Sequence, residues 1–232
     1  IEFSQEVQEL LIKDVTSRIV EGDCTVYPTF SLMLEIGLFP PPDLIGTFLD
    51  CISRTLMESG VYAIVSIHSA TVLLREYPDA MDIAISDGLV ELVINFLPHS
   101  ECCYFFTELI PLSEVLRGYL VEISFFKDLQ KLFVSLENSN GLRLFLYDIF
   151  VAAFPFISFE FDPVYLVKLF EESPMFKEVS YKFFIVAREK TPVLDEELMR
   201  GDIFEVFFGD LAECSSKRQA ESILENILAF EN

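Results

Sequence analysis

One spacing of apolar residues, apolar-x-x-apolar-apolar, occurs six times along this chain. The first members of successive copies are 38, 45, 39, 37 and 37 residues apart. A near-constant period of this length is typical of chains that stack helical units side by side. The same spacing brings the three residues onto one helix face, so each copy predicts a helix with that face in the core. The copies are Val7-Leu10-Leu11, Ile45-Phe48-Leu49, Val90-Val93-Ile94, Leu129-Leu132-Phe133, Leu166-Leu169-Phe170 and Ile203-Val206-Phe207.

A second apolar segment follows each copy after a short turn sequence. Gly, Pro, Asn and Ser cluster at these junctions, as they do in turns between helices. The repeating unit is therefore predicted to be a helical hairpin. Its second segments cover residues 27–39, 61–76, 102–122, 142–154, 175–189 and 217–230. The longest interval leaves room for a short extra helix between Pro78 and Gly88, and the same layout recurs between Pro192 and Gly201.

Residues 73–97 resemble the joint of an armadillo repeat. In that family the end of a third helix, a short first helix, a glycine and a second helix follow in this order. Residues 198–230 give a second match, whose end is similar to the family's third helix. The resemblance implies an all-α fold, an α-solenoid of about six armadillo-like repeats in one domain, residues 1–232. HEAT-like repeats are the alternative for the middle of the chain, and an irregular helical bundle is the alternative to any solenoid.

The charge of the chain limits its partners. It has 38 acidic and 16 basic residues, a net charge of −22. Nucleic acids and anionic lipid surfaces are usually bound by Lys and Arg, so direct nucleic-acid binding is not expected. A protein partner with a basic segment is the electrostatic complement. The alternative is that the acidity only keeps an apolar chain in solution.

The apolar content raises the question of a membrane span. Hydrophobic residues make up 52% of the chain. The uncharged run 59–74 has 16 residues, whereas a spanning helix needs about 20. No membrane span is therefore expected. Five cysteines without a C-x-x-C pair do not predict a disulfide framework, and no signal peptide is recognised, so we expect a cytoplasmic location, with the nucleus as the alternative.

Few residues offer catalytic or ligand-binding chemistry. The chain has two histidines. His68 lies in an apolar run and is predicted to be a core or interhelix residue, while His99 follows a proline in a turn. His99, Cys102 and Cys103 are a poor metal set, because adjacent cysteines fit tetrahedral geometry badly. No phosphate-binding glycine motif occurs. We expect no metal, no cofactor and no enzyme.

The armadillo resemblance also implies where a partner binds. The third helices of armadillo arrays line a concave groove for extended peptides, and peptide-binding members use a Trp and an Asn four residues apart. The last repeat has Ser222 and Asn226 at these positions, so the Asn is kept and the Trp is not. Equivalent offsets in earlier repeats extend the predicted groove to Asp148, Ile185 and Glu189.

An aromatic segment, residues 154–161, gives an alternative binding patch. Phe156, Phe159 and Phe161 alternate with other residues after Pro155, a pattern that does not continue the preceding helix. The segment is interpreted either as a docking patch or as a lid over the seam between two repeats.

The predicted function is a non-catalytic protein–protein interaction module, a scaffold or adaptor with an acidic concave surface. One alternative is a nucleocytoplasmic transport carrier. The other is the armadillo-like regulatory region of a larger cytoskeletal regulator that binds a small GTPase. These alternatives rest on likeness of fold, and the sequence does not indicate an oligomeric state.

Overall fold

The computed structural model describes residues 4–58, 60–136, 140–157, 203–214 and 216–229. Within these ranges the protein is all-α, and none of the described residues forms a strand. Short 3-10 turns precede α2, α3 and α5, at Cys24–Val26, Pro42–Leu44 and Pro78–Ala80. The helices are α1 (Gln5–Val20), α2 (Tyr27–Glu35), α3 (Ile45–Met57), α4 (Ala63–Glu76), α5 (Met81–Ser86), α6 (Leu89–Asn95), α7 (Ser100–Leu112), α8 (Glu114–Glu122), α9 (Phe125–Ser135), α10 (Asn140–Ala153), α11 (Ile203–Glu213) and α12 (Lys217–Ala229).

The chain forms two compact units, Ile1–Tyr119 and Leu120–Asn232, which divide within α8. A continuous repeat array also divides into compact parts, because each repeat contacts mainly its neighbours. The prediction of one domain over residues 1–232 therefore stays a prediction.

The first unit has two layers of helices. α3 packs against α1 and α6, and α4 packs against α2 and α7. The two layers meet where α3 packs on α4. Apart from the short α5, successive helices from α1 to α7 thus alternate between a first layer, α1, α3 and α6, and a second layer, α2, α4 and α7. This is the arrangement that stacked helical hairpins produce.

At most of the described copies, apolar residues of the repeated spacing are buried in the core. In α3 the side chains of Ile45, Phe48 and Leu49 are at most 3% exposed, and the Phe48 ring stacks on Phe30 with centroids 4.9 Å apart. The copies in α6, α9 and α11 also contribute buried residues, namely Val90, Val93, Leu129, Phe133 and Phe207. The predicted burial of Phe207 is confirmed. The copy at residues 166–170, with Phe170, lies outside the described residues.

The first copy is the exception, and its predicted burial is wrong. Val7 is 45% exposed and Leu10 is 61% exposed on α1. The buried residues of α1 are Val15 and Ile19, in its second half. The spacing therefore identified the helix correctly but not the face that packs.

The predicted segment 102–122 is two helices instead of one. α7 ends at Leu112 and α8 begins at Glu114. Pro111 lies in the last turn of α7, and the Ser113 hydroxyl accepts a hydrogen bond from the Leu116 N–H at 3.1 Å. A serine at this position caps the start of a new helix. The break also lets Arg117 donate to the carbonyl oxygens of Ile110 and Pro111.

The predicted short helix between Pro78 and Gly88 is confirmed as α5. Asp87 follows its last residue, and Gly88 then adopts a φ of 75°, a conformation that favours glycine. α6 starts directly afterwards and buries Leu89, Val90 and Val93. The second predicted short helix, between Pro192 and Gly201, lies outside the described residues.

In the second unit α9 packs against α10, and α11 packs against α12. The rings of Phe126 and Phe133 each lie 6.4 Å from the ring of Phe150. Arg143 is 1% exposed, and its guanidinium lies 5.3 Å from the centre of the Phe133 ring. Aromatic residues and one buried arginine therefore fill the contact between α9 and α10.

Candidate protein-binding surface

The sequence-predicted groove is only partly described. Asp148 is an exposed residue on α10, and partial desolvation of its carboxyl group raises its pKa. Ser222 and Asn226 both lie on α12, four residues apart, so they share one side of that helix. Their side chains, and Ile185 and Glu189 as whole residues, lie outside the described part of the chain. The groove stays a prediction with Asp148 as its one described side chain.

The alternative aromatic patch begins as expected, where α10 ends at Ala153. Phe154 and Ile157 are buried, whereas Phe156 is 50% exposed. Phe159 and Phe161 lie outside the described residues. The described part of the segment thus contributes both to the core and to the surface. This arrangement is compatible both with a docking patch and with a lid over the seam between two repeats.

A polar network on the second layer was not predicted as a site. His68 of α4 lies between two glutamates on neighbouring helices: its Nε2 is 2.8 Å from Glu35 Oε1 of α2, and its Nδ1 is 3.3 Å from Glu101 Oε2 of α7. Carboxylate oxygens only accept hydrogen bonds, so both contacts are hydrogen bonds when both ring nitrogens carry a proton. The prediction of His68 as an interhelix residue is confirmed.

The network continues along α4 and α7. The His68 ring stacks on the Tyr104 ring with centroids 6.0 Å apart and an angle of 16° between planes. Two turns later on α4, Arg75 donates to the Tyr104 hydroxyl at 3.4 Å, and its guanidinium lies 3.5 Å from the Glu108 carboxylate. We call these six residues the second-layer network: Glu35, His68, Arg75, Glu101, Tyr104 and Glu108.

The second-layer network is accessible and flanked by apolar residues. Its glutamate side chains are between 34% and 47% exposed. Leu32 on α2 and Ile36, directly after α2, are 64% and 52% exposed, and Leu112 at the end of α7 is 52% exposed. Half-exposed ion pairs of this kind contribute only about 0–1 kcal/mol each. The surface therefore offers oriented carboxylates beside apolar side chains.

A signal in the sequence could have identified the network. Glu35, His68 and Glu101 are each 33 residues apart, and Arg75 and Glu108 have the same separation. Equal separations indicate equivalent positions on successive helices of a repeat. The apolar spacing used for the repeat lies on the first helix of each unit, whereas this polar pattern lies on the second helices.

The residues considered for chemistry are used structurally. The Nδ1 atom of His99 accepts a hydrogen bond from the Glu101 N–H at 3.4 Å, at the start of α7. Cys102 and Cys103 are at most 2% exposed, and burial raises the pKa of Cys102 to about 12. In the described ranges no three His, Cys, Asp or Glu side chains are arranged to hold a metal ion.

None of the helices in the described part of the chain is long and apolar enough to cross a membrane. No protein-family model matches the sequence, and the chain matches neither a curated protein nor a solved structure. The likeness to armadillo repeats therefore rests on residues 73–97 and 198–230.

Proposed function

We propose that this protein is a non-catalytic interaction module, built as a solenoid of helical hairpins of the armadillo or HEAT type, that binds a basic segment of a protein partner. The observation that carries the proposal is the second-layer network, in which Glu35, Glu101 and Glu108 present carboxylates from two helices along one surface. Stacked helical repeats bind their partners on surfaces that equivalent helices of successive repeats form together.

The charge distribution supports a basic partner. Residues 1–119 contain 18 acidic and 5 basic side chains, which gives this unit a net charge of −13. Such a field speeds the approach of a basic segment and contributes less to the final affinity. The exposed apolar residues Leu32, Ile36 and Leu112 supply the contacts that burial of apolar surface makes favourable.

The test reverses charges on the network and at a matched position. In the double variant Glu101→Lys/Glu108→Lys, two carboxylates of the network become ammonium groups. The control, Glu58→Lys/Asp82→Lys, makes the same change of net charge at two exposed residues, one directly after α3 and one in α5. Partners are captured from an extract of the source cells, and the basic segment of the captured protein is then titrated by fluorescence anisotropy at several ionic strengths.

We expect the network variant to bind about tenfold more weakly than the control, with a flatter dependence on ionic strength. Equal loss in both variants would show a non-specific effect of net charge and contradict the proposed surface. Asp148→Lys is measured in the same assay. Loss of binding with Asp148→Lys, and not with the network variant, would move the binding surface to α10 and the sequence-predicted groove.

A further inference from the structure

A groove of about 730 Å³ lies between α1 and the turn that joins α2 to α3. One wall is apolar and includes Phe39, Pro40, Leu44 and Tyr77. This wall is held in place, because the Tyr77 hydroxyl donates to the Pro40 carbonyl oxygen at 3.3 Å and the Phe39 and Tyr77 rings meet edge to face, 6.1 Å apart. The volume is in the range of sites that bind small molecules, about 300–1,000 Å³.

The opposite wall carries an unpaired cation. Lys13 lines the groove from α1, and no ion pair or hydrogen bond joins it to another residue that the structure describes. The four arginines in residues 4–58 and 60–119 are all engaged, by Asp23, Asp50, Glu108 and the carbonyl oxygens of Ile110 and Pro111. Lys13 is thus the one basic side chain without a partner among the described residues of the first unit, and it lies at an apolar groove.

A second polar group on this wall also lacks a partner. Thr16 lines the groove one turn after Lys13, and its Oγ1 atom is buried without a hydrogen bond. A buried hydroxyl without a partner destabilises the folded protein, because it has lost its hydrogen bonds to water. Rotation of the Thr16 side chain toward the groove lets a ligand oxygen beside Lys13 accept the hydroxyl proton and removes the destabilisation.

Glu9 limits the charge of the ligand. It lines the same wall four residues before Lys13, one helical turn away. Its carboxylate repels every negative charge on a ligand, and this repulsion is twice as large for a dianion as for a monoanion, so the single cation at Lys13 favours a monoanion. The ligand therefore combines one negative charge with an apolar body.

We propose that the groove binds a small amphipathic monocarboxylate. Its carboxylate pairs with the Lys13 ammonium group and accepts the Thr16 hydroxyl, and its aliphatic body lies against Phe39, Leu44 and Tyr77. This site is separate from the second-layer network and does not depend on the proposed function.

The experiment titrates the intact chain with decanoate by isothermal titration calorimetry, below the micelle concentration. Lys13→Gln removes the cation, and Lys13→Arg keeps it. The matched control is Lys127→Gln, the same change at an exposed lysine of α9. We expect decanoate to bind wild type, Lys13→Arg and Lys127→Gln with similar affinity, and Lys13→Gln about tenfold more weakly.

Thr16→Val gives an independent readout. It removes a hydroxyl that has no partner in the free protein, so the melting temperature should stay equal or rise while decanoate binds several-fold more weakly. A general loss of structure would instead lower both the melting temperature and the affinity for decanoate. Uncharged decanol should bind wild type and Lys13→Gln equally.

Two results would overturn the proposal. In the first, decanoate does not saturate, or it binds Lys13→Gln as tightly as wild type. In the second, a proline-rich peptide binds to the groove and decanoate does not displace it, which would make a protein segment the occupant.

Discussion

Helices α1 and α3 carry the same apolar spacing but differ in burial. The second members of the two copies are Leu10, which is 61% exposed, and Phe48, which is 1% exposed. Both residues occupy the same place in the pattern, at the same distance from their neighbours in sequence. The difference therefore lies in the surroundings of each helix.

The packing of the first unit explains the difference. α3 packs against α1, α4, α5 and α6, whereas α1 packs mainly against α2 and α3. A helix with neighbours on several sides buries most of its apolar residues, and a helix with fewer neighbours buries one stripe. On α1 that stripe contains Val15 and Ile19. Periodicity thus predicts a helix, while burial depends on the number of helices around it.

The largest expected effect is at Phe48 on α3. Phe48→Ala removes a buried ring that stacks on Phe30 and leaves a cavity between α2 and α3. We expect a loss of about 3–5 kcal/mol in the free energy of unfolding, measured by urea denaturation. A loss below about 1 kcal/mol, the size expected near the surface, would contradict the packing of α3.

Phe207 extends the comparison to the second unit. It is the third member of its copy, on α11, and is 0% exposed. Phe207→Ala should lower the free energy of unfolding by about 3–5 kcal/mol if this site cannot collapse around the cavity. The neighbouring Phe208 is 57% exposed, so Phe208→Ala is the matched control with an expected change within about 0.5 kcal/mol. Equal losses in the two variants would mean that the face of α11 is assigned wrongly.

Much of the helical pattern was predictable because it depends on neighbours in sequence. The bounds of α5 follow from Pro78 and Gly88, and the end of α10 follows from Pro155. The break at Ser113 was missed although Pro111, a poor helix former, lies two residues before it; the serine itself acts through a cap at the start of α8.

The second-layer network was not predicted because it depends on distant residues. His68 meets two glutamates that are 33 residues away in each direction. No local rule brings them together, since their contact depends on how α2, α4 and α7 align. The exposure of Leu10 has the same origin, because it is set by which helices pack on α1.

A smaller effect, the dependence of stability on pH, tests how Tyr27 packs against the C-terminal part of α3. Tyr27 is 2% exposed and its hydroxyl accepts a hydrogen bond from Thr55 of α3. Burial raises the pKa of Tyr27 to about 12. The unfolded chain then loses this proton near pH 10 and the folded protein near pH 12. Stability is therefore complete below pH 10 and falls between pH 10 and 12, by up to about 2–3 kcal/mol.

The comparison of wild type with Tyr27→Phe isolates this contribution. Tyr147 and Cys102 also have pKa values raised to about 12 by burial, so both proteins lose stability in this range. The variant should lose less, and the difference between the two unfolding free energies should shrink or change sign as the pH rises from 9 to 12. Parallel curves would show that Tyr27 is not buried against α3.

The smallest expected effect is at Leu10, which occupies the same position in its copy of the apolar spacing as Phe48. Leu10→Ala removes an exposed side chain from α1 and replaces it with the best helix former, so the loss of packing is small and the helix propensity does not fall. We expect the free energy of unfolding to change by no more than about 0.5 kcal/mol in the urea experiment used for Phe48→Ala. A loss above about 2 kcal/mol would show that α1 packs through its apolar spacing as α3 does, because only buried leucines cost this much when truncated.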